Sequence, residues 1–133
     1  MSAERATYLD SSAIVKLAVR EHESDALRIH LRRRRPLMSS ALARTEVMRA
    51  LLPLGEAVVR RGLDVLGHLE LVRVSDRILT AAGLLLPPEV RSLDAIHLAT
   101  ARELGAELRQ IVTYDERMTA AARDLGLAVA APR

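Results

Sequence analysis

The sequence predicts an α/β protein built on a parallel sheet, and three observations support that fold class. Short apolar runs alternate with longer segments of helical periodicity along the chain. Proline and glycine residues separate many of these segments, and no repeat or low-complexity stretch interrupts them. The 133 residues suit a single domain, 1–133. We therefore expect a central parallel sheet of four to five strands with helices on both faces.

The first half of the chain is expected to hold two strands and four helices. The strands cover 7–9 and 37–39, and the helices cover 11–19, 23–34, 41–52 and 54–69. Pro36 stops the second helix, because proline lacks the backbone N–H that a helix needs. The third helix meets Pro53 in the same way. Three glycines in the fourth helix blur its limits.

The second half is expected to hold three strands and three helices. The strands cover 71–74, 110–113 and 127–130, the last being short, and the helices cover 77–85, 93–104 and 116–125. Asp76 and Ser92 are suitable N-caps for the first two helices. Gly105 and Gly126 are placed to end the last two.

The composition excludes several classes of protein. With no cysteine, the chain has no disulfide, thiolate metal site or cysteine nucleophile, which suits a cytoplasmic protein. No apolar stretch is long enough for a membrane span, and the first ten residues lack the apolar core of a signal peptide. Two tyrosines without Phe or Trp make base stacking an unsuitable mode of nucleic-acid binding.

Four acidic residues are predicted to meet at one edge of the sheet. Asp10 and Asp115 follow the first and fourth strands, and Asp94 lies in the first turn of the helix before the fourth strand. Glu46 lies about five residues into its helix, with a side chain that leans toward the helix amino end. Ligands of parallel α/β sheets bind at this edge. If the first and fourth strands are neighbours, the carboxylates converge.

Each acid also has an ordinary explanation, and only the set points to a metal. Asp10 and Asp115 could be N-caps, Asp94 could interact with a helix dipole, and Glu46 could face solvent. Converging carboxylates repel by about 1 to 4 kcal/mol per pair at effective dielectrics between 80 and 20. A hard divalent cation relieves that repulsion, so the set predicts Mg²⁺ or Mn²⁺.

Four segments resemble the PIN-domain (PilT N-terminus) nucleases, and specifically the VapC-type toxins of toxin–antitoxin pairs. The segments are YLDSSAIVKL around Asp10, ARTEVMRAL around Glu46, SLDAIHLATA around Asp94 and IVTYDERM around Asp115. Their order and spacing agree with the family over essentially the whole chain. The resemblance implies a PIN-like fold with a five-stranded parallel sheet.

The resemblance further implies a homodimer, Mg²⁺- or Mn²⁺-dependent cleavage of a structured RNA such as tRNA or rRNA, and a VapB-type antitoxin partner. It makes the four acids the catalytic and metal-binding residues. Ser12 matches a family position whose hydroxyl supports the site, and Thr113 is a similar candidate.

Other polar residues have two interpretations at this stage. The run Arg32, Arg33, Arg34 and Arg35 suits RNA phosphates or a solvated helix end, and Arg49 suits phosphate or surface pairing. His97 lies one helical turn after Asp94 on an apolar face, which favours a structural or supporting histidine over a general base.

Two alternative functions stay open. A PIN-like domain could hold RNA or protein without cutting, and metal-assisted hydrolysis could act on DNA. Receiver domains, dehalogenase-type phosphatases and dinucleotide-binding proteins are disfavoured. A receiver domain needs adjacent acids after the first strand and a lysine after the last, and this chain has neither at those places. A dehalogenase-type phosphatase needs a second aspartate two residues after Asp10, where this chain has Ser12. A dinucleotide-binding protein needs a glycine-rich turn after the first strand, which is absent from the sequence.

Overall fold

The computed structural model describes residues 5–133 and confirms the α/β class with a five-stranded sheet. All four strand pairs are parallel, in the order β3-β2-β1-β4-β5. The strands are β1 Ala6–Leu9, β2 Leu37–Ser40, β3 Glu70–Val72, β4 Leu108–Val112 and β5 Val129–Ala130. The sheet therefore has the first strand at its centre.

In the part of the chain that the structure describes, seven helices connect and cover the strands. They are α1 Ser11–Ala18, α2 Ser24–Leu31, α3 Ala43–Leu51, α4 Glu56–Gly67, α5 Asp76–Gly83, α6 Ser92–Glu103 and α7 Glu116–Asp124. Short 3₁₀ turns follow α3 and α6. Among residues 5–133, none of these helices has both the length and the apolar character needed to cross a membrane.

The central strand separates two aliphatic cores because its successive side chains point to opposite faces. Tyr8 packs with Leu98 and Ile111 in the core formed with α5, α6 and α7. Leu9 packs with Ile14 and other side chains of α1 to α4 in the second core. All four residues of β1 are buried, as expected of a strand covered on both faces.

The register of β1 and β4 positions the candidate acids. Leu9 is paired with Val112, and the backbone N–H of Asp10 donates to the carbonyl of Val112 at 3.2 Å. Asp10 therefore leaves β1 beside the point where β4 ends. The condition for convergence, that the first and fourth strands are neighbours, is met.

Most element boundaries differ from the sequence-based expectations by one to three residues, and three helix ends have a clear physical reason. Helix α2 ends at Leu31, not at position 34, because the i→i−3 bonds of Arg32 and Arg34 replace helical ones before Pro36. Ser75 is the N-cap of α5, with Oγ accepting from Ile78 N, so the prediction of Asp76 as the cap was wrong. Arg91 is the N-cap of α6, and Ser92 is its first residue.

Candidate active site

Asp10 is a buried carboxylate fixed by three hydrogen bonds. Its Oδ1 accepts from Ser12 Oγ at 2.6 Å and from Ala13 N at 3.0 Å. Its Oδ2 accepts from Thr113 Oγ1 at 2.5 Å, across the β1–β4 pair. Burial raises the pKa of Asp10, and the bonds from Ser12, Thr113 and Ala13 oppose that rise. Asp10 is therefore the N-cap of α1 and also a carboxyl group held in one orientation at the sheet edge.

Asp115 has the equivalent position on the neighbouring strand. As the N-cap of α7, its Oδ1 accepts from the backbone N–H groups of Arg117 at 2.8 Å and Met118 at 3.2 Å. Its side chain is exposed. Both aspartates are N-caps, and this is compatible with the predicted site because capping places each carboxylate at the carboxyl edge of the sheet.

Asp94 brings a third negative charge to the same edge. It lies in the first turn of α6 and is partly buried. Burial raises its pKa first, followed by the negative charge of Asp115, and the charge of Asp10 acts in the same direction. Two neighbouring carboxylates therefore repel the charge on Asp94, and such repulsion is expected where acids converge on a cation site.

Glu46 reaches the site from the first turn of α3. Its Oε1 accepts from Ser11 Oγ at 2.7 Å and from His97 Nε2 at 2.6 Å. Burial raises the pKa of Glu46, but the bonds from His97 and Ser11 outweigh it, so the net pKa lies below its usual value. The carboxylate is thus held in its ionised form.

His97 is buried beneath Glu46 and also contacts Tyr8. Its Nδ1 lies 2.7 Å from the Tyr8 hydroxyl, and the two rings meet edge to face with centroids 5.8 Å apart. Burial is the largest cause of a strongly raised Tyr8 pKa, so the hydroxyl keeps its proton. Sequence analysis did not identify Tyr8 and Ser11 as site residues. The spacing in the sequence could have identified them. Tyr8 lies two residues before Asp10 and so points to the same side of the extended chain, and Ser11 directly follows Asp10.

Ser12 and Thr113 each bridge Asp10 to the start of the loop after β4. Ser12 Oγ accepts from Tyr114 N at 3.0 Å, and Thr113 Oγ1 accepts from Asp115 N at 3.1 Å. Each hydroxyl therefore donates to Asp10 and accepts from the backbone of the neighbouring segment. Thr113 in particular couples the positions of Asp10 and Asp115.

The donor set suits a hard divalent cation by chemistry and by charge. The four acids offer only oxygen ligands, which favour Mg²⁺ or Mn²⁺. Burial raises the pKa of Asp94 most, and the negative charges of Asp115 and Asp10 raise it further. Within residues 5–133, no group of three or more His, Cys, Asp or Glu side chains is already arranged as a coordination shell. The four acids lie at the carboxyl edge of the sheet without forming a preformed coordination shell.

The predicted phosphate contacts fall into two groups. Arg49 is exposed on α3, one turn after Glu46, and so lies on the same side of that helix. The run 32–35 precedes β2, whose amino end is at the opposite edge of the sheet from the acids. Arg34 donates to the carbonyl of His30 at 2.8 Å and so supports the end of α2. Of the five arginines predicted to contact phosphate, only Arg49 lies on a helix that carries one of the acids.

Sequence comparisons match the chain to a known family over most of its length. The PIN domain family matches residues 7–124. Ribonuclease VapC46 of Mycobacterium tuberculosis is 64% identical over 127 residues, covering 96% of this chain and 98% of that protein. Ribonuclease VapC35 of the same species is 44% identical over 133 residues, covering 94% and 96%.

Solved structures show the same fold. A toxin–antitoxin complex from Klebsiella pneumoniae contains a chain that matches with a TM-score of 0.72 at 20% identity, covering 96% of this chain and 98% of that one. Mycobacterium tuberculosis VapC20, described as a sarcin–ricin loop cleaving toxin, matches with a TM-score of 0.71 at 18% identity, covering 86% and 94%. At these identities the likeness concerns the fold.

Proposed function

The chain belongs to the PIN-domain family, and on that premise we propose that it is a divalent-metal-dependent endoribonuclease, the toxin of a VapBC-type toxin–antitoxin pair. One observation carries the chemical part of this proposal. Thr113 links Asp10 to the backbone of Asp115 at the carboxyl edge of the sheet, and the charges of these two acids, after burial, raise the pKa of Asp94. A cluster of carboxylates of this kind is stabilised by a bound cation.

Asp10, Asp94 and Asp115 are the residues that would hold the ion, with Glu46 binding it through water or positioning the attacking water. Mg²⁺ or Mn²⁺ bound there would lower the pKa of a water molecule and offset negative charge on the phosphate. Asp10 is suited to its role because three hydrogen bonds keep its carboxylate in one orientation. Preorganised ligands reduce the cost of ordering the site when RNA binds.

The products on this proposal are a 5′-phosphate and a 3′-hydroxyl, because water and not the ribose 2′-hydroxyl attacks the phosphorus. The substrate class is a structured RNA, supported by the name of VapC20 as a sarcin–ricin loop cleaving toxin. A VapB-type antitoxin is the proposed partner, supported by the toxin–antitoxin complex among the structural matches. A homodimer and a cytoplasmic location are part of the same proposal.

The test is cleavage of purified tRNA and rRNA pools by antitoxin-free protein in EDTA, Mg²⁺ or Mn²⁺. An Asp94→Asn variant serves as the inactive control, and Asp76→Asn serves as a matched aspartate that also starts a helix but lies at the sheet margin. We expect discrete cuts that need metal, persist in Asp76→Asn and disappear in Asp94→Asn.

Two results would contradict the proposal. Binding of RNA without cleavage in any metal, by folded protein, would favour a non-catalytic PIN-like module. Faster cleavage of single-stranded DNA than of RNA under the same conditions would favour a DNA-directed nuclease.

A further inference from the structure

The two oxygens of Glu46 have different surroundings. Oε1 accepts two hydrogen bonds, from Ser11 Oγ and His97 Nε2. Oε2 accepts none from the part of the chain that the structure describes. One oxygen is therefore anchored to the protein, and the other is free for a ligand.

The anchor continues into the core through His97. This side chain is 2% exposed, and its other nitrogen lies 2.7 Å from the hydroxyl of fully buried Tyr8. Ser11 Oγ lies 3.4 Å from Nε2, at the outer limit of a hydrogen bond. Tyr8, His97 and Glu46 thus form a polar chain from the centre of the sheet to its carboxyl edge.

The roles of the two ring nitrogens follow from their partners. An ionised carboxylate only accepts hydrogen bonds, so Nε2 must carry a proton to bond Glu46. The other nitrogen, Nδ1, lies 2.7 Å from the Tyr8 hydroxyl, which can donate to it. The contact with Tyr8 therefore holds the ring in the orientation that presents Nε2 to Glu46.

We propose that Tyr8 and His97, together with Ser11, position Glu46 for the reaction by holding Oε1 and directing Oε2 toward the RNA and the attacking water. This inference rests on the proposed ribonuclease function. His97 is a positioning residue: it touches Glu46, and it acts on the reaction through that carboxylate.

The contacts of His97 exceed what core packing requires, because both ring nitrogens meet polar partners on other elements. His97 is on α6, three residues after Asp94, whereas its partner Glu46 is on α3, on the other side of the sheet edge. Its hydrogen bond joins the helices that carry two of the four acids. A free glutamate samples several rotamers, but an anchored one has lost that freedom before RNA binds.

The kinetic test compares two amides at position 97. His97→Gln places an amide N–H about where Nε2 lies, whereas His97→Asn keeps a group near Tyr8 but is too short to reach Glu46. We expect His97→Asn to lower kcat by ~10- to 100-fold with KM unchanged, and His97→Gln to recover most of that loss. His30→Leu is the matched control, since His30 bonds Gln110 away from the acids.

Equal kcat values for the Gln and Asn variants, both folded, would overturn the positioning role. So would a loss confined to KM, because that would indicate RNA binding and not the orientation of Glu46. Tyr8→Phe keeps the buried ring and removes only the hydroxyl, so it tests the same chain if a position-97 variant fails to fold. An unchanged kcat in Tyr8→Phe would remove Tyr8 from the proposal.

A second readout needs neither metal nor RNA. In EDTA, long-range ¹H–¹⁵N spectra of the imidazoles should show an N–H at Nε2 of His97, and Tyr8→Phe should shift its Nδ1 resonance. A ring without a proton at Nε2, or an Nδ1 resonance unchanged in Tyr8→Phe, would overturn the hydrogen-bond assignment. Because this result is independent of cleavage, failure of the anchoring and failure of the ribonuclease function are distinguishable.

Discussion

Thr113 Oγ1 donates to Asp10 Oδ2 at 2.5 Å and accepts from the backbone N–H of Asp115 at 3.1 Å. One hydroxyl therefore links two candidate metal ligands on adjacent parallel strands. The link depends on the β1–β4 register, which places the end of one strand beside the end of the other. The position of Asp10 is set by the sheet as much as by its own helix.

Thr113→Val should lower the cleavage activity more than Thr113→Ser does. Val keeps the β-branched shape but leaves an oxygen of buried Asp10 and the N–H of Asp115 each without a partner. We expect cleavage to fall by ~10- to 100-fold, the usual effect of losing an outer hydrogen bond to a metal ligand, and the metal requirement to rise.

The measurement is the cleavage rate across a Mn²⁺ titration. Thr113→Ser is the control, since it retains the hydroxyl and should stay close to the parent protein. A Val variant with the parent's rate and metal midpoint would show that this hydroxyl does not organise the site.

Asp94→Asn should stabilise the metal-free protein while removing its activity. The neighbouring charges of Asp115 and Asp10 contribute to the raised pKa of Asp94, so the ionised side chain destabilises the fold. The gain in free energy of unfolding at neutral pH should be on the order of 1 kcal/mol, the scale of carboxylate repulsion near bulk-water dielectric.

The sign with pH follows from the direction of that shift. The unfolded chain ionises Asp94 near its ordinary pKa of 3.8, and the folded protein does so at higher pH. The variant's advantage should therefore be absent well below pH 3.8, grow as pH rises through the folded pKa, and then stay constant. Thermal unfolding in EDTA measures it, and Mg²⁺ should narrow it. An Asn variant less stable than the parent at neutral pH would contradict the clustering of charges.

Arg49 and the run 32–35 should affect RNA cleavage differently. Arg49 lies on the helix of Glu46, while Arg32, Arg33 and Arg35 lie beyond the amino end of β2, across four strand residues or ~13 Å of sheet. For a four-nucleotide RNA, Arg49→Ala should raise KM and reduce the salt dependence by about one phosphate contact. The combined Ala variant of the other three should leave KM unchanged.

Salt-dependent kinetics on this short RNA and on a full-length tRNA provide the measurement. If KM of the triple variant rises on the long RNA alone, the three arginines contact phosphates only of extended substrates. A rise on the short RNA would place its path along the opposite edge, contrary to the assignment of the site.

Much of the architecture could be predicted because the local signals agree with the tertiary structure. Alternating apolar runs and helical segments identified all five strands, and the capping positions of Asp10 and Asp115 followed from strand ends. Errors occurred where two adjacent polar residues compete for one cap. Ser75 takes the cap expected of Asp76, because its hydroxyl reaches the N–H of Ile78.

The supporting contacts of the site were harder to predict because they join distant segments. Tyr8 and His97 are 89 positions apart, and His97 and Glu46 are 51 apart. Periodicity shows that His97 lies on a packed helix face, but not which side chain meets it. For the Arg32–Arg35 run, the positive charge is evident from the sequence. The edge of the sheet at which the run lies is not evident, because it depends on the direction of β2.

The chemical ends of the RNA fragments test the central claim most directly, because they report which oxygen attacks the phosphorus. The measurement is end-group analysis of one labelled RNA cut by the parent protein in Mg²⁺ or in EDTA, beside Asp10→Asn. The account predicts 5′-phosphate and 3′-hydroxyl ends in Mg²⁺ only, and none from the variant. Cyclic 2′,3′-phosphate ends, or cleavage that continues in EDTA or in Asp10→Asn, would contradict an acidic metal site that activates water.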